Sequence, residues 1–141
     1  MTKNNVVEEI RTIIEWYRSL PMDYTGISDL MYQRIQLATL LSYFATDMGD
    51  CRLSWKESEA EHEKIKRTKI KEYIDAGLPI SKASEIGKYY SIQAYGIERQ
   101  LDGLYYSMKL FYDTTNNILD ALNQHISNLK REQMALKTTQ T

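Results

Sequence analysis

The chemistry-bearing residues of this 141-residue chain concentrate in a charge-segregated stretch near its middle. Four glutamates alternate with other residues from Glu57 to Glu63, and five bases follow within the next eight residues. Clustered lysine and arginine side chains neutralise phosphate groups without reading base sequence. The stretch therefore predicts a polyanion-binding surface, although the formal charge of the whole chain is only −1. The five bases are Lys64, Lys66, Arg67, Lys69 and Lys71.

Aromatic side chains and further lysines lie close to these bases in the sequence. Tyr73 follows directly, and Tyr89, Tyr90 and Tyr95 come after the next break in the chain. Because aromatic faces stack on unpaired bases at about 1–3 kcal/mol each, the combination favours single-stranded nucleic acid over duplex. The alternative is a solvated basic helix face beside tyrosines that pack a coiled coil. The predicted nucleic-acid-binding residues are Lys64, Lys66, Arg67, Lys69, Lys71, Tyr73, Lys82 and Lys88.

Catalytic constellations are not recognisable in the sequence. Glu59 and His62 have the Glu-x-x-His spacing of a di-iron ligand pair, but the only other histidine, His125, follows Leu122 where the second glutamate is required. Both histidines fall on apolar seams and are interpreted as polar seam residues. Cys51 also lies on a seam and is predicted to be a buried thiol. We predict a non-enzymatic protein with no catalytic residue, metal site or cofactor.

Proline and glycine divide the chain into three predicted helices. These are an N-terminal accessory helix over 5–20, a first long helix over 28–75 and a second long helix over 81–136, with Gly87 as a point where the last can break. Apolar positions in both long segments recur in alternating steps of four and three, which is typical of a heptad seam. The predicted fold is a single all-α domain, 1–141, built on a long antiparallel, coiled-coil-like helical hairpin.

Apolar residues also occur outside the two seams, so the apolar stripe is wider than one hairpin can bury. The sequence therefore predicts a homo-oligomer in addition to cover from the accessory helix. Gly96 and Gly103 lie seven residues apart within the second long helix, where they mark either close approach of another helix or a tolerated local defect. The residues assigned to the oligomer contact or seam are Leu101, Leu104, Met108, Phe111, Ile118, Leu122 and Leu129.

The location of the protein is predicted from what the sequence lacks. No segment reaches the ~18 apolar residues of a membrane span, and the first residues do not form the apolar core of a secretory signal. One cysteine allows no internal disulfide. A cytoplasmic location without a membrane partner is expected, in the host cytoplasm if the chain is phage-encoded.

Two segments carry a family resemblance. Residues 69–77, Lys-Ile-Lys-Glu-Tyr-Ile-Asp-Ala-Gly, and residues 113–122, Asp-Thr-Thr-Asn-Asn-Ile-Leu-Asp-Ala-Leu, resemble the UvsY family of recombination mediator proteins of T-even-type phages. In that family, a basic-x-basic pair, aromatics and a glycine close the first long helix. The resemblance covers roughly residues 29–131, the accessory helix has no counterpart in it, and Lys71 stands where the family has arginine.

The resemblance implies a small helical protein that forms a ring-like homo-oligomer through its C-terminal helix. It implies binding of single-stranded DNA, with Lys69 and Lys71 in the DNA-contacting role, and assistance to a RecA-like recombinase that displaces a single-strand-binding protein. Two other functions stay open. The chain could be a phage virion, scaffold or internal structural protein, or a coiled-coil adaptor that binds a partner protein.

Overall fold

The computed structural model describes residues 3–139, and this part of the chain contains helices and no strand. The predicted all-α class is therefore confirmed. The chain forms four helices in the order α1 (Lys3–Arg18), α2 (Ile27–Asp75), α3 (Ile80–Tyr90) and α4 (Ile92–Thr139).

Helix α1 lies two residues earlier than the predicted 5–20. Asn5, the predicted first residue, therefore lies inside the helix. At the other end, the Leu20 amide donates to the Tyr17 carbonyl at 3.3 Å, which is a tighter turn than an α-helix makes. The reason is Pro21, which disfavours helical backbone at the residue before it. Helix α2 begins at Ile27, one residue before the predicted start.

The end of α2 is set by Gly77, the one residue of the described chain with a positive φ, at 94°. The Gly77 amide donates to the Ile74 carbonyl and the Leu78 amide donates to the Tyr73 carbonyl, each at 3.0 Å. This pair of bonds is a Schellman motif, which satisfies the last carbonyls of a helix and requires a left-handed residue. Glycine is the residue that adopts this conformation without steric cost.

The segment predicted as the second long helix forms two helices, and the interruption lies at Ser91 instead of Gly87. The Ser91 amide bonds to the carbonyls of Gly87 and Lys88 at 3.2 Å, and its hydroxyl donates to the Lys88 carbonyl at 3.0 Å. Gly87 has a packing role instead, because a Cβ there would lie 2.6 Å from Ile70 Cγ1 and 3.0 Å from the Lys66 carbonyl oxygen. The glycine lets α3 lie directly against α2.

The chain divides into two compact units. Unit 1 contains the described residues 3–47 and 109–139, where α1 packs with the first part of α2 and the last part of α4. Phe44 and Phe111 meet edge to face at 5.1 Å. Each large apolar side chain buried here contributes about 1.5–3 kcal/mol. The buried apolar residues of unit 1 are Val6, Ile10, Ile13, Ile14, Leu30, Leu37, Leu40, Leu41, Phe44, Leu122, Ile126 and Leu129.

A polar contact ties the α1–α2 connection to α4 within unit 1. His125 Nε2 donates to the Tyr24 carbonyl oxygen at 3.1 Å, and His125 Nδ1 lies 3.5 Å from the Tyr17 hydroxyl. Tyr17 is partly buried, and this burial raises the pKa of its phenol. His125, interpreted from the sequence as a polar seam residue, thus holds a loop carbonyl.

Unit 2, Met48–Met108, has a thinner core made by the last part of α2, α3 and the first part of α4. Cys51 is buried, as predicted. Trp55 stacks on Tyr105 with ring centroids 5.8 Å apart. Leu104, assigned to the seam from the sequence, is about half exposed, and so is Ile97 two turns earlier. The buried apolar residues of unit 2 are Cys51, Ala83 and Met108, which is far fewer than in unit 1.

Candidate nucleic-acid interface

The five bases that end α2 lie on two faces of the helix. Lys64, Arg67 and Lys71, spaced by three and four residues, form an outer row on the same face. Lys66 and Lys69 form an inner row, three residues apart, that faces the rest of unit 2. Lys69 Nζ lies 4.7 Å above the Tyr90 ring of α3, and Lys66 lines a pocket shared with α3 and α4.

Two of the predicted bases have carboxylate partners. Arg67 Nε lies 3.9 Å from Glu63 Oε2, and Lys69 Nζ lies 3.3 Å from Glu72 Oε2. Both pairs are solvent-exposed and hence contribute little to stability. The remaining predicted bases form no ion pair with any carboxylate of residues 3–139, so their charge is available to an external anion. They are Lys64, Lys66, Lys71, Lys82 and Lys88.

The acidic stretch that precedes the bases is partly engaged with cations. Glu63 reaches forward to Arg67, and Glu59 lies 3.8 Å from Lys56 Nζ. Glu61 lines a shallow groove together with Lys64. The acidic residues thus border the basic surface at its beginning, and the lysines nearer the end of α2 lie farther from them.

A tyrosine cluster lies beside the inner row. The rings of Tyr73 and Tyr90 are stacked at 6.3 Å with an interplanar angle of 18°, and their hydroxyls are 3.4 Å apart. This hydrogen bond, donated by Tyr73, raises the pKa of Tyr73, with smaller contributions from the charges of Tyr90 and Glu72. Tyr89 meets Tyr90 edge to face at 5.6 Å and is 71% exposed. Tyr73 and Tyr90 therefore hold each other, and Tyr89 offers an open aromatic face.

A pocket of about 300 Å³ opens where the inner row meets α3 and α4. The predicted binding residues include its two lysines, and its Tyr95 is one of the aromatic side chains named beside the bases, but its other lining residues are not predicted. A signal existed in the spacing, because His62 precedes Lys66 by four residues and Tyr95 follows Lys88 by seven. We call it the lysine–tyrosine pocket; its lining residues are His62, Lys66, Lys88, Ser91, Ile92 and Tyr95.

The His62 ring, which lines this pocket, lies against a carboxylate and an aromatic ring. His62 Nδ1 lies 2.8 Å from Glu98 Oε2, and the two side chains are only 15% and 17% exposed. The ring N–H is not aligned with the oxygen, and Glu98 Oε2 has no hydrogen-bond donor among residues 3–139. Tyr95 packs on the imidazole with centroids 5.3 Å apart. The position of the Tyr95 ring at the pocket is therefore set by buried neighbours.

The residues assigned to the oligomer contact or seam occupy different environments. Met108, Leu122 and Leu129 are buried in the chain itself, and Leu101, Phe111 and Ile118 are half-buried. Leu104 is 49% exposed. The neighbouring Tyr105 makes the contact with Trp55. Among residues 3–139, no three histidine, cysteine or carboxylate side chains are grouped so that they could hold a metal ion.

Comparisons with protein-family models, with curated proteins and with solved structures give no match to this chain. Within residues 3–139, every helix falls short of the combined length and apolar character needed to cross a bilayer.

Proposed function

We propose that the chain is a non-enzymatic single-stranded DNA-binding protein that acts as a recombination mediator of the UvsY type. The observation that carries the proposal is the surface of unit 2, where lysines without carboxylate partners lie beside exposed tyrosines. The mediator role rests on the resemblance of residues 69–77 and 113–122 to that family.

Charge and aromaticity together favour a single strand as the ligand. The cations attract the phosphate backbone by releasing counterions, which makes affinity fall with salt. Open aromatic faces such as that of Tyr89 gain stacking energy only with bases that are already unpaired. Duplex DNA would engage the lysines alone and would therefore bind more weakly.

The test is a fluorescence-anisotropy titration with oligo-dT at several salt concentrations. We expect the double variant Lys69→Ala with Lys71→Ala to bind more weakly than the wild type. Its plot of log affinity against log salt should be shallower by about 1.4, because each lost phosphate contact removes about 0.7 from the slope on a single strand.

A matched control removes the same charge elsewhere. Lys130→Ala with Lys137→Ala alters two exposed lysines of unit 1 and should leave affinity and salt slope unchanged. The proposal is wrong if the wild type does not bind oligo-dT, or if the two double variants weaken binding equally.

We further propose that α2 and α4 form an antiparallel hairpin and that the chain assembles into homo-oligomers. In unit 2, Trp55 meets Tyr105, and His62, two turns later in α2, meets Glu98, two turns earlier in α4. This order supports the antiparallel arrangement. Assembly would let several weak basic surfaces share one strand, which raises affinity without new contacts.

The oligomer proposal is supported by an outward face of α4 in unit 2. Tyr106 is 62% exposed on this face. Gly96 and Gly103 precede it by ten and three residues, and a Cβ at either glycine would meet nothing within 4 Å. These glycines therefore do not serve to let another part of the described chain approach α4 closely. A helix face with two open glycines suits close packing against a second copy.

The structural and adaptor functions make different predictions. A phage structural protein would copurify with particles and ignore free DNA, and an adaptor would bind a partner helix with DNA absent. A mediator should accelerate loading of a RecA-like recombinase onto DNA already covered by a single-strand-binding protein. Absence of that acceleration, with DNA binding intact, would reject the mediator role alone.

A further inference from the structure

We infer that the lysine–tyrosine pocket receives one nucleotide of a bound single strand, with its phosphate at Lys66 and Lys88 and its base against Tyr95. This inference rests on the proposed DNA-binding function and specifies the site within it. The pocket brings together two cations and an aromatic ring from three helices.

The charge at the pocket is suited to a phosphate. Lys66 and Lys88 both line it, and neither forms an ion pair within residues 3–139. No carboxylate of residues 3–139 lines the pocket, although its lining residue His62 contacts Glu98. Two uncompensated ammonium groups at one concave surface repel each other, and a phosphate between them would remove that repulsion.

The remaining lining is suited to a base. Tyr95 is 48% exposed and packs on His62, so its ring is held in place while part of its surface stays open. Ile92 adds apolar surface beside it. The volume of about 300 Å³ is at the lower end of the range for small-molecule sites, which fits one nucleotide and not a longer stretch.

Geometry next to the pocket also provides a path for the strand. Ile92 borders a second groove lined by Tyr89, Tyr90 and Gln93. A strand leaving the pocket therefore meets the open face of Tyr89. An isolated phosphate would need only the lysines, and the aromatic surface on both sides of Ile92 favours a nucleotide that continues into a strand.

The test compares oligo-dT with an abasic deoxyribose-phosphate oligomer of equal length, using wild type, Tyr95→Leu and Tyr32→Leu. Tyr32 is an exposed tyrosine of unit 1 and does not line the pocket. We expect the wild type to prefer oligo-dT. Tyr95→Leu should reduce that preference by about 5- to 150-fold, the worth of one stacked base, and Tyr32→Leu should not.

The outcomes separate this inference from the proposed function. If the wild type binds neither oligomer, the proposed function fails. If the wild type binds but Tyr95→Leu keeps the full preference, the pocket assignment is overturned and DNA binding stands.

A second measurement uses the unaltered chain, so it does not depend on variant folding. Irradiation of a complex with an oligomer that carries 5-iododeoxyuridine should cross-link Tyr95. Cross-links confined to residues outside the lysine–tyrosine pocket would reject the assignment.

Discussion

Replacement of Gly96 and Gly103 by alanine should have opposite effects on the stability of the single chain and on its assembly. Both glycines lie inside α4, and a Cβ at either would meet nothing within 4 Å. In such open helical positions alanine is favoured over glycine by about 1 kcal/mol, because glycine loses more backbone entropy on folding. The single chain should therefore become more stable.

The size of the stabilisation follows from the spacing. Seven residues separate the glycines, or about 10 Å along the helix, so the two effects should add to about 2 kcal/mol. For a chain of 141 residues, each kcal/mol shifts Tm by about 3 °C, and the double variant should melt about 6 °C higher when dilute. In the assembly, the added methyl groups occupy space that the proposed second copy fills, and overpacking typically costs about 1–3 kcal/mol.

The assay combines thermal melting by circular dichroism at high dilution with sedimentation velocity over a range of concentrations. Gly49→Ala is the matched control, since Gly49 is also helical and also has nothing within 4 Å of a Cβ. All three substitutions should raise Tm of the dilute chain, and only those in α4 should shift assembly towards the single chain.

Two results would refute this reasoning. A lower Tm for the dilute α4 variants would mean that the glycines are not in open space. Unchanged assembly in the double variant would mean that the outward face of α4 does not contact a second copy.

Three other perturbations test the local structure. Gly77→Ala forces a side chain into a φ of 94° and should destabilise the chain by about 1–2 kcal/mol in urea; a neutral result would argue against the Schellman motif. Gly87→Ala places a Cβ 2.6 Å from Ile70 Cγ1 and should cost about 1–3 kcal/mol, partly restored by Ile70→Ala, which removes that carbon; no restoration would mean that the strain lies elsewhere. The raised pKa of Tyr73 means that its neutral form is favoured in the folded chain. Its contribution to the free energy of unfolding is therefore complete below about pH 10 and is lost as the pH rises through the higher pKa of the folded chain. Tyr73→Phe should remove one late phenol from an ultraviolet titration, and an unchanged curve would contradict the hydrogen bond to Tyr90.

The sequence predicts the helical class and the Gly77 break well, because proline, glycine and heptad spacing act locally. It misplaces the interruption in the second long segment. A glycine inside a helical pattern signals either a break or a close approach, and only the partner helix decides between them; at Gly87 the partner is Ile70. Ser91, the actual interruption, bonds through groups that any serine has, so nothing in its identity marks it.

The candidate site shows the same division between local and non-local information. The bases ending α2 are adjacent in the sequence and are readily predicted as a group. Helix phase decides which of them face α3. Packing among three helices decides that Lys66 shares a pocket with Lys88 and Tyr95. The contact between His62 and Glu98 likewise joins residues 36 positions apart, and the spacing within one helix does not predict it.

The close contact at Gly87 has a consequence for how the charged surface tolerates change. The gap between the two lysine-bearing helices is set where the α3 backbone rests on the Ile70 side chain and on the Lys66 carbonyl. Exchanging one surface cation for another therefore changes how far a single side chain extends. The distance between the two helices stays the same. A methyl group at position 87 would have the opposite effect. Every cation would stay the same, and the opening between Lys66 and Lys88 would change in size.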